Sequence, residues 1–278
     1  MGTDRPLPSA IDRVQIAAQL RRLGLRAGGV LMVHTRMREI GWVIGGSETV
    51  VRALLDVLGP DGTLIAYASW DEHVFGEEAR PAEYREAYRA ARPVFDVKTG
   101  AARREHGQIP ERLRTWPGAR RSAHPDASIV AVGARARELT EGHPRDDAYG
   151  PGSPLARLVA VGGQVLMLGA PLETLTVLHH AESIARVHGK RRVSFTTLVN
   201  QDGEITECTF TDINTSTGAF PYEDLGLEVD AFEVIGRDAL EAGIGVTGPV
   251  GGAACHLFPA AELVEFGVAW MERRFRRE

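Results

Sequence analysis

Apolar positions along this chain follow two spacings, one helical and one strand-like. Ile16, Leu20 and Leu23 fall on one helical face, and Gly24 supplies the stop. Ser9, just before Ala10-Ile11-Asp12, reads as the cap of that helix, with Asp12 returning the bond as in a capping box. Residues 29–34 are short, continuous and apolar, which predicts a strand buried on both faces. A second amphipathic helix starts at Ser47 and carries Val50, Val51, Leu54 and Leu58. Gly59-Pro60-Asp61-Gly62 then turns the chain into a strand over 63–67. Strand, helix and strand in that order predict a right-handed parallel crossover and an α/β protein.

Residues 71–120 interrupt the rhythm. They are rich in Arg, Glu, Ala and Pro, with helical pieces near 82–91 and 105–115, and read as a helical insert capping the functional edge of the sheet. Strands resume at 128–133 and 164–169. Residues 192–258 read mostly as strands, with a helix near 231–242, and Leu263, Phe266 and Trp270 mark a final helix. No repeat, low-complexity tract or linker divides the chain. The expected architecture is one α/β domain over residues 1–278, with a mixed, largely parallel central sheet flanked by helices.

Bulk composition narrows the function without naming it. The 278 residues are 44% hydrophobic and 25% charged, enough for a proper core and unlike a disordered chain. A net charge of −5 disfavours a nucleic-acid partner and favours a cationic ligand. Cys208 and Cys255 form neither a metal spacing nor a disulfide framework, which fits reduced thiols in a cytoplasm. The N-terminus lacks a secretory pattern, and no apolar run approaches the ~20 residues of a membrane span.

The densest chemistry lies at Leu178-His179-His180-Ala181-Glu182-Ser183, directly after the strand at 164–169. Helical spacing puts His179 and Glu182 on one face. An imidazole oriented by a carboxylate is a proton acceptor suited to neutral pH, and ligands of open α/β sheets gather where strands end. Asp212, in a polar break after a later strand, offers a second carboxylate to the same place. One His with one Glu leaves too few ligands for zinc, so no metal is expected. Gly243-Ile244-Gly245-Val246-Thr247-Gly248 has the dinucleotide spacing, but it follows a helix and runs into Pro249 and a strand, so it reads as a close-packed loop. Arg120-Arg121-Ser122-Ala123-His124-Pro125 gathers donors in one turn, most simply a solvated one. Tyr67, Trp70, Asp71, Glu72, Phe95 and Asp96 together suggest a cleft for a polyvalent cation.

These blocks, taken in order, resemble the aminoglycoside 3-N-acetyltransferases. The likeness runs through the 31–34 strand and the turn after it, Ala68-Ser69-Trp70-Asp71, Pro93-Val94-Phe95-Asp96 and the long block 117–128. It continues in Gly152-Ser153-Pro154, Leu168-Gly169-Ala170-Pro171, Leu178-His179-x-Ala181-Glu182, Gly248-Pro249-Val250-Gly251 and Phe266-Gly267-Val268. The resemblance implies the antibiotic N-acetyltransferase fold, not the Gcn5 type, and transfer of an acetyl group from acetyl-CoA to the 3-amine of the deoxystreptamine ring. Carried over residue by residue, it implies His179, Glu182 and Asp212 as catalytic groups. It implies Thr35, Arg36, Met37, Ser122, His124 and Ser128 for acetyl-CoA, and Tyr67, Trp70, Asp71 and Asp96 for the aminoglycoside. Where the family turn usually reads His-Ser-Ser/Ala-Leu, this chain has His34-Thr35-Arg36-Met37. Three other readings stay open here: ping-pong transfer through Cys208 or Cys255, another small amine as acceptor, and a drug-sequestering protein without catalysis.

Overall fold

The computed structural model describes residues 10–71 and 80–276. The first helix, α1 (Arg13–Leu23), is capped three residues later than the spacing suggested. Asp12 is its N-cap: its carboxylate accepts from the Gln15 amide at 2.8 Å, and its own amide donates to Gln15 Oε1 at 2.9 Å. Gln15 therefore takes the return role expected of Asp12, and Ser9 lies outside the described residues. Strand β1 (Val30–Thr35), the short helix α2 (Met37–Ile40), α3 (Gly46–Leu58) and β2 (Thr63–Tyr67) follow, giving the expected crossover. The insert contains α4 (Ala82–Ala90), β3 (Val94–Asp96) and α5 (Gln108–Arg114), with its helices where the sequence placed them. Next come β4 (Arg120–Arg121), β5 (Ile129–Gly133), α6 (Ala136–Thr140), α7 (Pro154–Ala160) and β6 (Gln164–Leu168). The chain continues through α8 (Leu178–Ile184), β7 (Arg192–Gln201), β8 (Glu204–Ile213) and α9 (Ala231–Glu241). It closes with β9 (Val246–Val250), β10 (Ala253–Pro259) and α10 (Ala260–Phe275).

The central sheet runs β4-β5-β2-β1-β6-β10-β9. Its middle is parallel, with β1 between β2 and β6, and both flanks are antiparallel. Alternate side chains of the middle strands leave on opposite faces. Val30 and Met32 of β1 join Val165 and Met167 of β6 in a core roofed by α7 to α10. Leu31, Val33, Leu166 and Leu168 enter a second core under α1, α3 and α5. Burial on both faces is why these strands read as unbroken apolar runs.

A second sheet, β3-β7-β8, joins the insert to a long hairpin. Asp202 (φ 52°) and Gly203 (φ 100°) form its two-residue turn, a backbone that Asp-Gly tolerates well.

Helix α8, which carries His179, is seated by a close approach to α10. A Cβ on Gly267 would lie 2.8 Å from Leu178 Cδ2 and 3.3 Å from Ala181 Cβ, both on buried residues of α8. Gly267→Val is expected to push α8 off α10 and cost about 1–3 kcal/mol, as overpacking does, read as a lower midpoint in urea unfolding.

Candidate active site

The parallel strands β1, β2 and β6 end together, and a cavity of about 690 Å³ opens at their carboxyl ends. His34 and Thr35 of β1, Tyr67 of β2, and Ala170 and Pro171 after β6 line it. Arg103, Glu105 and His106 of the insert form the facing wall, so the insert caps the sheet edge as its position suggested. His179, in the first turn of α8, points its ring into the same space.

Glu182 stands behind that ring. Its Oε2 lies 2.7 Å from His179 Nδ1, and its Oε1 accepts from the Tyr222 hydroxyl at 2.8 Å and the Ala219 amide at 3.3 Å. Three donors thus converge on a carboxylate that is only 1% exposed, which offsets the cost of burying it. Burial and the neighbouring Glu182 push the Tyr222 phenol well above its ordinary range, so it stays a donor. Tyr149 and Phe232 flank the imidazole, with ring centroids 5.0 and 4.9 Å away. With Nδ1–H donated to Glu182, Nε2 carries the lone pair.

Polar groups around the cavity are held neutral or lack partners. Burial, with His106 nearby, pushes His34 down to about 3, and burial pushes His106 down to about 4. His106 Nε2 is 2.5 Å from Ser69 Oγ. Among the described residues, His34 Nε2 and Thr35 Oγ1 are buried without a hydrogen-bond partner. Tyr67 donates to the Asp126 carbonyl at 2.8 Å and meets the Tyr149 hydroxyl at 3.0 Å. Asp126 itself faces the cavity, and burial pushes its carboxyl up to about 6.

The residues singled out from sequence divide into two groups. Thr35, Arg36, Met37, Tyr67 and His179 line the cavity, with Glu182 directly behind His179. The others lie elsewhere. Asp212 accepts from the Ala148 amide at 3.2 Å and the Ile213 amide at 3.0 Å, and its Oδ2 is 3.9 Å from His124 Nε2. Burial pushes Asp212 up to about 7, and the hydrogen-bonding partner of His179 is Glu182. Ser122 Oγ accepts from the Ile129 amide and meets His143 Nδ1, each at 2.9 Å, and His124 Nδ1 accepts from the Ala127 amide at 2.9 Å. Ser128 donates to the Ala68 carbonyl at 2.6 Å and accepts from Arg121 Nε at 2.9 Å. These three side chains knit the turn that delivers Asp126; none of them lines the cavity.

Trp70 is 2% exposed and packs on Phe95, while Asp96 accepts from the Lys98 and Thr99 amides and from Asn200. Asp71 binds the Arg104 amide at 3.2 Å. Trp70, Asp71 and Asp96 thus stay outside the cavity lining, and Glu72 lies outside the described residues. Cys208 and Cys255 are buried away from the cavity. Among the described residues, no group of three His, Cys, Asp or Glu side chains is placed to hold a metal ion, and no helix is long and apolar enough to cross a membrane. Asp126, Tyr149 and Tyr222 escaped the sequence reading. Asp126 sat inside the block 117–128 and was the one of the three with a signal beside it.

Comparison with known proteins places this geometry in context. The family model described as aminoglycoside 3-N-acetyltransferase matches residues 32–272. Aminoglycoside N(3)-acetyltransferase VII of Streptomyces paromomycinus is 50% identical over 270 residues, 96% of this chain and 94% of that one. The AAC-IIIb enzyme in its binary complex with CoASH superposes with a TM-score of 0.88 at 40% identity, covering 96% of this chain and 98% of the other. AAC-VIa bound to sisomicin gives 0.88 at 38% identity, covering 97% and 100%.

Proposed function

We propose a course of reaction for this chain from the premise that it belongs to the aminoglycoside 3-N-acetyltransferase family. It is an acyltransferase that moves the acetyl group of acetyl-CoA to the 3-amino group of the 2-deoxystreptamine ring of aminoglycoside antibiotics, and so confers resistance. The buried thiols fit a cytoplasmic location, where cysteines stay reduced.

One observation carries the residue roles: His179 faces the cavity while its Nδ1 is tied to the buried Glu182. A sugar amine at neutral pH is largely an ammonium and cannot attack a thioester. His179 Nε2 takes a proton from it, and Glu182 steadies the imidazolium through Nδ1. The amine nitrogen bonds to the acetyl carbon, the carbon–sulfur bond breaks, His179 returns its proton to the departing thiolate, and the nitrogen releases a second proton to solvent as the amide forms. No group on the protein is acylated, so neither cysteine is needed.

Thr35, Arg36 and Met37 border the acyl donor in this reading. The Arg36 amide is already committed to the Leu168 carbonyl at 3.1 Å. The amides of Met37 and Arg38 open α2 and meet no helical acceptor, which suits them to the developing oxyanion. Thr35 Oγ1 and His34 Nε2, buried without partners among the described residues, favour a polar stretch of the donor beside them.

The reaction is tested by adding sisomicin to the protein with acetyl-CoA, following free thiol and locating the new acetyl group by NMR. Thiol release with the acetyl on N3 is expected. Tight sisomicin binding without thiol release is the outcome of a sequestering protein and overturns the assignment. Tyr222→Phe removes one donor from Glu182 and leaves the cavity lining intact. A hydrogen bond to a charged group is worth about 1.5–3 kcal/mol, so kcat is expected to fall about tenfold or more, with KM for both substrates little changed in steady-state assays.

A further inference from the structure

His180 takes no part in the proton transfer, yet it is the second of two adjacent histidines, at the position that Leu-His-x-Ala-Glu leaves open. Its side chain leaves α8 about 100° further round the helix than that of His179. It is buried and stays outside the cavity lining. Its Nδ1 lies 2.7 Å from the Tyr149 carbonyl oxygen. A carbonyl only accepts, so Nδ1 carries the proton. Burial lowers the His180 pKa from its ordinary value, so the ring is neutral near neutral pH.

Tyr149 lies in the irregular stretch between α6 and α7, where no ladder holds the backbone. Side chains from elsewhere hold it instead. The Ala148 amide donates to Asp212 at 3.2 Å, and the Ala148 carbonyl accepts from His143 Nε2 at 2.9 Å. Ser183, on α8 with His180, donates to Asp147 Oδ1 at 3.0 Å. At the far end of the tyrosine, the Tyr67 hydroxyl gives its proton to the Asp126 carbonyl, so at 3.0 Å it accepts from the Tyr149 hydroxyl. Tyr149 is thus a bar fixed at both ends, by His180 at its carbonyl and by Tyr67 at its hydroxyl. Between those ends its ring packs on the His179 imidazole, with centroids 5.0 Å apart. The bond to Glu182 fixes only one atom of that imidazole. Rotation of the ring about χ2 is otherwise broad and shallow, so the packed tyrosine decides where Nε2 points.

We propose that His180 is a positioning residue for acetyl transfer: by holding the Tyr149 carbonyl it sets the ring that keeps His179 Nε2 aimed at the acceptor amine. The role in turnover rests on the acetyl-transfer reading; the geometry does not. The adjacent histidines divide the work, one taking the proton and the other holding the support beneath it.

The test compares His180→Leu with His180→Asn. Leu and Asn branch alike, but Asn places its amide nitrogen where Nδ1 stood and Leu has no donor. Misplacing a catalytic group costs up to about a hundredfold. In His180→Leu, kcat is expected to fall about tenfold or more, with both KM values within about twofold of wild type, and His180→Asn recovers most of the loss. If His180→Leu does not fold, His180→Gln replaces it, because its amide reaches the place of Nε2 and not that of Nδ1. A second readout needs no turnover: the proton NMR signal of His179 Nδ1–H, sharp in the wild type and in His180→Asn, is lost to broadening in the donor-free variant. A kcat within about twofold of wild type in that variant overturns the proposal, as does an equal loss in His180→Asn or an unchanged Nδ1–H signal. A wild type that releases no thiol, with the signal lost in His180→Leu and kept in His180→Asn, upholds the positioning and refutes acetyl transfer.

Discussion

Glu182→Gln should give a folded protein that binds acetyl-CoA and turns over about 10²–10⁴ times more slowly, the range that general-base help supplies. The change adds no volume and keeps one oxygen. That oxygen is claimed by the Tyr222 hydroxyl and the Ala219 amide, which both donate to Oε1. The amide nitrogen must then occupy the place of Oε2, 2.7 Å from His179 Nδ1. It can only donate there. Nδ1 is forced to accept, the proton moves to Nε2, and the atom facing the cavity loses its lone pair. Steady-state thiol release checks the size of the loss. A fall in kcat with unchanged acetyl-CoA KM is the expected pattern, because the lost interaction belongs to the transition state.

His179→Ala is expected to be at least as severe, since it removes the proton acceptor together with the group that returns the proton to sulfur. Loss of nearly all turnover, again at least about 10²-fold, should leave calorimetric acetyl-CoA affinity close to wild type. His179 is partly exposed to the cavity and packs against Tyr149 and Phe232, so truncation opens space beside solvent and leaves the core of the sheet untouched. Wild-type-like rates in this variant would remove His179 from the reaction.

What could be read from the chain depended on the range of the interactions. The middle strands were legible because Leu31, Met32, Val33, Leu166 and Met167 are apolar without a break, as burial on both faces requires. The His179–Glu182 pair was legible because its geometry is local, three residues apart on one helix. The pairing of β3 with β7 was not, since Val94 meets Leu198 across about a hundred residues and nothing local specifies it. Residue type alone misled where a side chain served two purposes equally well. Trp70 and Asp96 look like cleft residues, but the first is packed on Phe95 and the second caps the turn at Lys98 and Thr99. Asp212 was grouped with His179 on chemistry, whereas its hydrogen bonds go to Ala148 and Ile213. Tyr222 reaches Glu182 from forty residues away, out of a segment with no periodicity to mark it.

The protonation of the His179 ring decides the matter most directly. Nitrogen-15 NMR of the imidazole, taken near pH 8 on the resting protein, separates the two neutral tautomers and the cation. A proton on Nδ1 and a bare Nε2 is the predicted spectrum. A proton on Nε2, alone or together with one on Nδ1, would contradict it, because the atom turned toward the substrate amine could then accept nothing.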